Sequence, residues 1–314
     1  MSAGSQSRPI FLIGMGRSGS TLVFELFASH TELAWFSQYL NRWPRFPSVS
    51  VLSRLADVSP RFRRSLPGST MRPNRWLDKA CIRPVEGYGV WRHYAGERFL
   101  HDALFGVRAT AEEREGVRRL VRKVSRYQGK SRFAAKVTGP PRIEYLSSIF
   151  GDAYFIHLIR DGRAVVRSLL NVPFWRDTFR IREPGWRNSL TREQLDAWRS
   201  HGESPLALAA IQWCAMLGAA RREAAASASA RYAEFRYEDF VAAPHRALDE
   251  MVEFCALPRS ERMHAYLERD ARVLDMNVKW RDAFGPRDAE MLDELMGETL
   301  KEFGYPAGTL PLDH

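Results

Sequence analysis

Apolar residues fall in short runs separated by polar and glycine-rich breaks. Residues 9–14 read PIFLIG, the pattern of a buried strand ended by glycine. A Gly/Ser-rich turn follows over 15–20. Residues 21–29 (TLVFELFAS) space Leu22, Leu26 and Ser29 as a helix packed on one face does. A second strand is predicted over 132–136, interrupted by Gly139-Pro140-Pro141, with a helix over 142–150. Residues 153–159 (AYFIHLI) form the strongest strand pattern, and a helix is predicted over 161–170. Further along, the pattern predicts a strand over 232–236, a helix over 244–255 and an amphipathic helix over 288–303. Strands alternating with helices predict an α/β fold with a parallel sheet. No internal repeat or linker divides the 314 residues, so one domain spanning 1–314 is expected.

Two stretches break the alternation. Residues 41–130 are rich in arginine, proline and aromatics, and 172–204 carry Trp175, Trp186 and Trp198 among charges. Both are expected to be helical or irregular insertions over the sheet, where substrate recognition is commonly placed.

Composition narrows the partners. With 45% hydrophobic and 27% charged residues the chain is globular, neither disordered nor low-complexity. It carries 47 Lys+Arg against 37 Asp+Glu, a formal charge of +10, and nearly all the cations are arginine. The planar guanidinium fork suits phosphate and carboxylate, so anionic ligands are expected. Nucleic acid fits the charge, but the arginines are scattered and no helix-turn-helix, RNP or zinc pattern accompanies them. Cys81, Cys214 and Cys255 lie far apart with no CxxC pair, which supports neither a disulfide framework nor a metal site. No apolar run approaches the ~20 residues of a membrane span. A cytoplasmic protein without an anchor is the expectation.

The chemistry concentrates between the first strand and helix. Gly14-Met15-Gly16-Arg17-Ser18-Gly19-Ser20-Thr21 has both glycines and the final Thr21 in register with a Walker A loop, GxxxxGK[ST], but Ser20 stands at the lysine position. Glycines let the backbone curl around an anion, and the helix N-terminus adds the positive end of its dipole. The missing lysine argues against nucleoside triphosphate hydrolysis, since that ammonium reaches the β- and γ-phosphates. Arg17 supplies a cation two residues after Met15 instead.

The string Arg17-Ser18-Gly19-Ser20-Thr21 resembles the 5′-phosphosulfate loop of the PAPS-dependent sulfotransferases (PAPS is 3′-phosphoadenosine-5′-phosphosulfate), in the bacterial branch similar to the tyrosylprotein and carbohydrate enzymes. Residues 159–168 (IRDGRAVVRS) are similar to that family's second motif, in which an arginine at a strand end and a serine eight residues on clamp the 3′-phosphate; these are Arg160 and Ser168. Residues 236–241 (RYEDFV) resemble the strand-end segment near the adenine, with Tyr237, and Lys279-Trp280-Arg281 resembles a late segment that closes on the nucleotide phosphates. The resemblance implies a P-loop-type parallel sheet flanked by helices, with the insertions forming the acceptor side. It also implies PAPS as donor, 3′,5′-bisphosphoadenosine (PAP) as product, and no metal.

Sulfuryl transfer makes the demands of phosphoryl transfer, positioning and stabilisation of charge on the leaving oxygens. The resemblance assigns the 5′-phosphate to Arg17 and the amides of Ser18, Gly19, Ser20 and Thr21. It gives Lys136 the neutralisation of the bridging oxygen. Its general-base positions fall here on Thr138 and Gln38, neither of which takes a proton. Glu86, in Arg83-Pro84-Val85-Glu86-Gly87-Tyr88, is the preferred substitute, then His93; Glu25, on the first helix, is a third carboxylate. Two alternatives remain, a P-loop phosphotransferase or kinase and a PAPS-binding homologue without catalysis. Small molecules, glycans and lipid-linked sugars all suit the Trp- and Arg-rich insertions as acceptors, and oligomeric state is open.

Overall fold

In the computed structural model, which describes residues 8–58, 81–172, 175, 186, 188–269, 271 and 273–306, the first apolar run is strand β1 (Ile10–Gly14). It is followed by helix α1 (Ser20–Phe27). A short strand β2 (Leu33–Ala34), β3 (Arg132–Thr138), β4 (Tyr154–Ile159) and β5 (Arg231–Arg236) complete a five-stranded sheet in the order β2-β3-β1-β4-β5, with every pairing parallel. Alternate residues of the same strand enter opposite cores, because side chains of a strand point alternately to its two faces. Ile10 and Leu12 join one cluster, Phe11 and Ile13 the other. Burial on both faces explains why these strands read as continuous apolar runs.

The first face is covered by α1 together with α12 (Pro244–Phe254) and α13 (Glu261–Arg269), through Phe24, Leu248, Met251 and Leu267. The second is covered by α4 (Tyr88–Ala95), α6 (Ala111–Gln128) and α7 (Ile143–Ile149). A third cluster joins α8 (Gly162–Leu170), α10 (Pro205–Ala226) and α14 (Pro286–Glu302). The smaller helices are α2 (Gln38–Arg42), α3 (Arg54–Val58), α5 (Arg98–His101), α9 (Arg192–Ser200) and α11 (Tyr237–Ala242). No helix among the described residues is long and apolar enough to cross a membrane.

The stretch over 41–130, expected to be an insertion above the sheet, differs in one respect. Its last part is the 18-residue α6, which packs on the sheet itself, with Val117, Leu120, Val121 and Val124 inward. Of the Trp-bearing stretch over 172–204, residues 173–174, 176–185 and 187 lie outside the described residues; Trp175 and Trp198 are buried in the third cluster.

From β1 the chain crosses to β2 and β3 on one side and later to β4 and β5 on the other. The carboxyl end of β1 is therefore the point where strand order reverses, and a crevice opens there in parallel sheets.

Candidate active site

The glycine-rich turn runs directly out of β1 into that crevice. Gly14 passes so close to β4 that a Cβ would lie 2.6 Å from the Leu158 carbonyl oxygen. Gly19, at φ 87°, begins α1 and presses on the Tyr237 ring, where a Cβ would sit 2.5 Å from Cδ2. Both the backbone angle and the contact demand glycine. The Ser18 amide donates back to the Met15 carbonyl (3.2 Å), so it closes the turn itself; the amides at the start of α1 lack intrahelical acceptors. Ser18 Oγ is buried without a hydrogen-bond partner. An orphaned hydroxyl beside a helix N-terminus fits an anion in the turn.

Four of the expected cofactor residues meet at the next strand end. Arg160 leaves β4, donates Nη1 to the Arg17 carbonyl (2.9 Å) and lies with its guanidinium 4.6 Å above the Tyr237 ring. Arg17, at φ 76°, donates Nε to Ser168 Oγ (2.9 Å). Its side chain thus reaches the serine expected at the opposite phosphate rather than standing apart from it. Burial pulls the Arg160 pKa down, and the guanidinium has no salt-bridge partner among the described residues. A buried cation whose carboxylates, Glu238 and Asp161, act only from beyond salt-bridge distance is stabilised further by a bound anion.

Behind this cluster Glu238 acts as a hub that sequence reasoning missed. It accepts from the Asp161 amide (3.0 Å), Asn277 Nδ2 and the Tyr305 hydroxyl (3.0 Å), and Asn277 Oδ1 accepts from Arg160 Nε (2.7 Å). Asp161 caps α8 and grips Arg163 with both carboxylate oxygens, at 3.0 and 2.8 Å. Arg163 in turn lies 4.2 Å over the Trp280 ring. Trp280 is buried there, while its neighbours Lys279 and Arg281 are exposed.

The chemistry-bearing residue is Lys136, on β3. Its Nζ donates to Thr21 Oγ1 (2.9 Å) and pairs with Glu86 Oε1 (2.9 Å), so one ammonium links the glycine-rich turn to a carboxylate. Thr138 Oγ1 donates to Glu86 Oε2 (2.7 Å), and the Tyr88 hydroxyl donates to the same oxygen. Burial pushes the Glu86 carboxyl up, but the Lys136 charge and these hydrogen bonds outweigh it and hold the group below the usual carboxylate range.

Glu86 reaches Lys136 because its segment is laid antiparallel against the chain before α2. Gln38 donates Nε2 to the Cys81 carbonyl (2.6 Å) and accepts from the Arg83 amide (2.8 Å); Val85 donates to the Phe36 carbonyl (2.9 Å). Gln38 is thus a positioning residue for the segment that ends in Glu86. Trp91 Nε1 then holds the Glu86 carbonyl (3.1 Å). His93, the second candidate base, lies exposed on α4 with its ring edge-on to Tyr94, and no contact joins it to Lys136 or Glu86. Glu25, also considered, is part-buried on α1. Among the described residues, no group of three or more His, Cys, Asp or Glu is placed to hold a metal.

The sequence profile of the Sulfotransferase family matches residues 9–261. Among solved structures the chain is similar to sulfotransferase STF9 from Mycobacterium avium, at 16% identity and a TM-score of 0.57, over 97% of this chain and 79% of that one. It is also similar to the sulfotransferase domain from the curacin biosynthetic pathway, at 14% identity and a TM-score of 0.50, over 95% and 98% of the two chains. At those identities the likeness shows the fold alone. No curated protein sequence matches. The profile spans the turn after β1, Lys136, Arg160 and Tyr237, stopping short of Lys279-Trp280-Arg281. On that match over most of its length, the chain belongs to the Sulfotransferase family.

Proposed function

We propose that the protein moves a sulfuryl group from PAPS to a hydroxyl of a small-molecule, glycan or lipid-linked acceptor, leaving PAP. The observation that carries this reading is the position of Lys136 Nζ, within 2.9 Å of both Thr21 Oγ1 and the Glu86 carboxylate. PAPS supplies the activated sulfuryl group and a phosphate leaving group. Arg160, Ser168 and Arg17 would hold its 3′-phosphate; Thr21, Gly19 and Ser20 would hold the 5′ end, with Tyr237 alongside. The buried Arg160, without a direct salt bridge, and the orphaned Ser18 hydroxyl suit the anionic groups of that ligand.

Lys136 neutralises negative charge where the leaving oxygen develops, the kind of preorganised electrostatic help that dominates such transfers. Glu86, ionised at neutral pH, receives the acceptor proton as the acceptor oxygen bonds to sulfur and the bond from sulfur to the phosphate oxygen breaks. Thr138, at a family base position, orients that carboxylate by donating to it. Asp161, the acid a Mg²⁺-dependent phosphotransferase would need after a strand, is taken up by Arg163.

Calorimetric titration with PAP and, separately, with ATP and Mg²⁺ tests the donor. PAP is expected to bind in the micromolar range and ATP weakly. Arg160→Ala should weaken PAP by about 10- to 100-fold, the scale of charge-assisted hydrogen bonds to phosphate. A clear preference for ATP with Mg²⁺ would overturn the reading in favour of phosphotransfer.

A further inference from the structure

The segment between α2 and α3 is folded inside out. In the 3₁₀ turn Pro47–Ser53 and in α3, the small side chains Ser50, Ser53 and Ala56 are buried against the protein. Val51, Leu52, Leu55 and Val58, spaced as one helical face, point to solvent, as do Trp43 and Phe46 just before them. Phe46 is 61% and Val58 78% exposed. These are six of the nine large apolar side chains exposed among the described residues, gathered within 16 positions. Contiguous exposed apolar surface of this kind marks an interaction site.

Its charge identifies the occupant. Arg42, Arg45 and Arg54 are exposed among the apolar side chains. The acid of this segment, Asp57, is neutralised by Lys130 (2.7 Å) and Arg262 (2.9 Å). From 42 to 58 the sequence holds three basic residues and one acidic one, and that acid is the paired Asp57, so the exposed charge of the segment is positive.

We propose that this face docks on an anionic lipid surface. Tryptophan and phenylalanine suit the headgroup boundary, the aliphatic side chains suit the acyl region beneath it, and the arginines suit anionic headgroups. Nucleic acid answers the charge but offers no apolar volume for Val51, Leu52, Leu55 and Val58. The segment is held rigidly enough to present the face: Arg54 donates Nε to the Tyr127 carbonyl (2.7 Å) and Nη2 to that of Arg126 (3.3 Å), at the end of α6. This docking does not depend on the identity of donor or acceptor.

Cosedimentation of the full chain with vesicles tests it. The protein should pellet with phosphatidylcholine vesicles containing phosphatidylglycerol, pellet far less with phosphatidylcholine alone, and be released by high salt. Phe46→Ser with Leu55→Ser should weaken partitioning at least about tenfold, and Arg45→Glu by a similar factor. Melting temperature and PAP affinity should stay unchanged, since all three side chains are exposed. Absence of binding to the anionic vesicles, or binding that the variants leave intact, overturns the proposal. So does a dimer in light scattering that the double variant dissolves, or tighter binding of duplex DNA than of the vesicles.

Discussion

Glu86 keeps its negative charge in a buried site because three donors converge on it: Lys136, Thr138 and Tyr88. Removing the charge and removing a donor therefore have different signatures. Glu86→Gln should lower kcat by about 10²- to 10⁴-fold, the range for a lost general base, with PAP affinity unchanged in calorimetry. Because its carboxyl lies below the usual range, kcat/KM of the parent protein should be flat from about pH 6 upward and fall only in more acid solution. Thr138→Val deletes a donor that favours the ionised form, so the acid limb of the profile should move to higher pH. An acid limb that stays in place would show that Glu86 is not the titrating group.

At the level of elements, the segment over 81–86 is laid on its course by pairing with the chain around α2. Gln38 supplies two of those hydrogen bonds. Gln38→Ala should lower kcat about tenfold, as expected when a catalytic group is loosely placed, and leave PAP binding as it was. Steady-state kinetics beside calorimetry separate the two. What was legible in the sequence follows the same division. Arg17, Lys136, Arg160, Ser168 and Tyr237 sit in strings at strand ends, where strand, turn and residue type are local facts. Glu238 and Asn277 contribute through contacts between distant segments, which no local pattern carries. The missed elements have separate causes. Helix α10 is buried nearly all round, from Leu206 to Ala220, so it lacks a polar face and hence a period. Helix α6 did carry signals, a Thr110–Glu113 capping box and apolar residues at 117, 120, 121 and 124, hidden within a stretch dominated by arginine and proline.

Across the whole molecule, the layers are fastened by a carboxylate with an unusual titration. Glu223 on α10 accepts from the amides of Ile143 (2.5 Å) and Glu144 (3.3 Å) at the start of α7. Burial pushes its pKa up to about 7. Between the ordinary value of 4.5 and about 7 the folded state holds a proton that the unfolded chain releases, so stability falls as pH rises through that window and levels off above it. Glu223→Gln keeps an acceptor for both amides and removes the titration. Its melting temperature should match the parent near pH 5 and exceed it near pH 8, by a margin on the order of 2 kcal/mol in stability; equal pH profiles would exclude this account. The order of the sheet bears on how such a chain is made. β1 lies at its centre, flanked by β3 and β4, yet it is synthesised before either. Ile10 waits for Ala134 on one edge and for Tyr154 on the other. At about 5–20 residues per second, that leaves the apolar strand unpaired on the ribosome for on the order of ten seconds. The strand that bears the glycine-rich turn is thus made before both of its sheet partners and keeps two open edges until they follow.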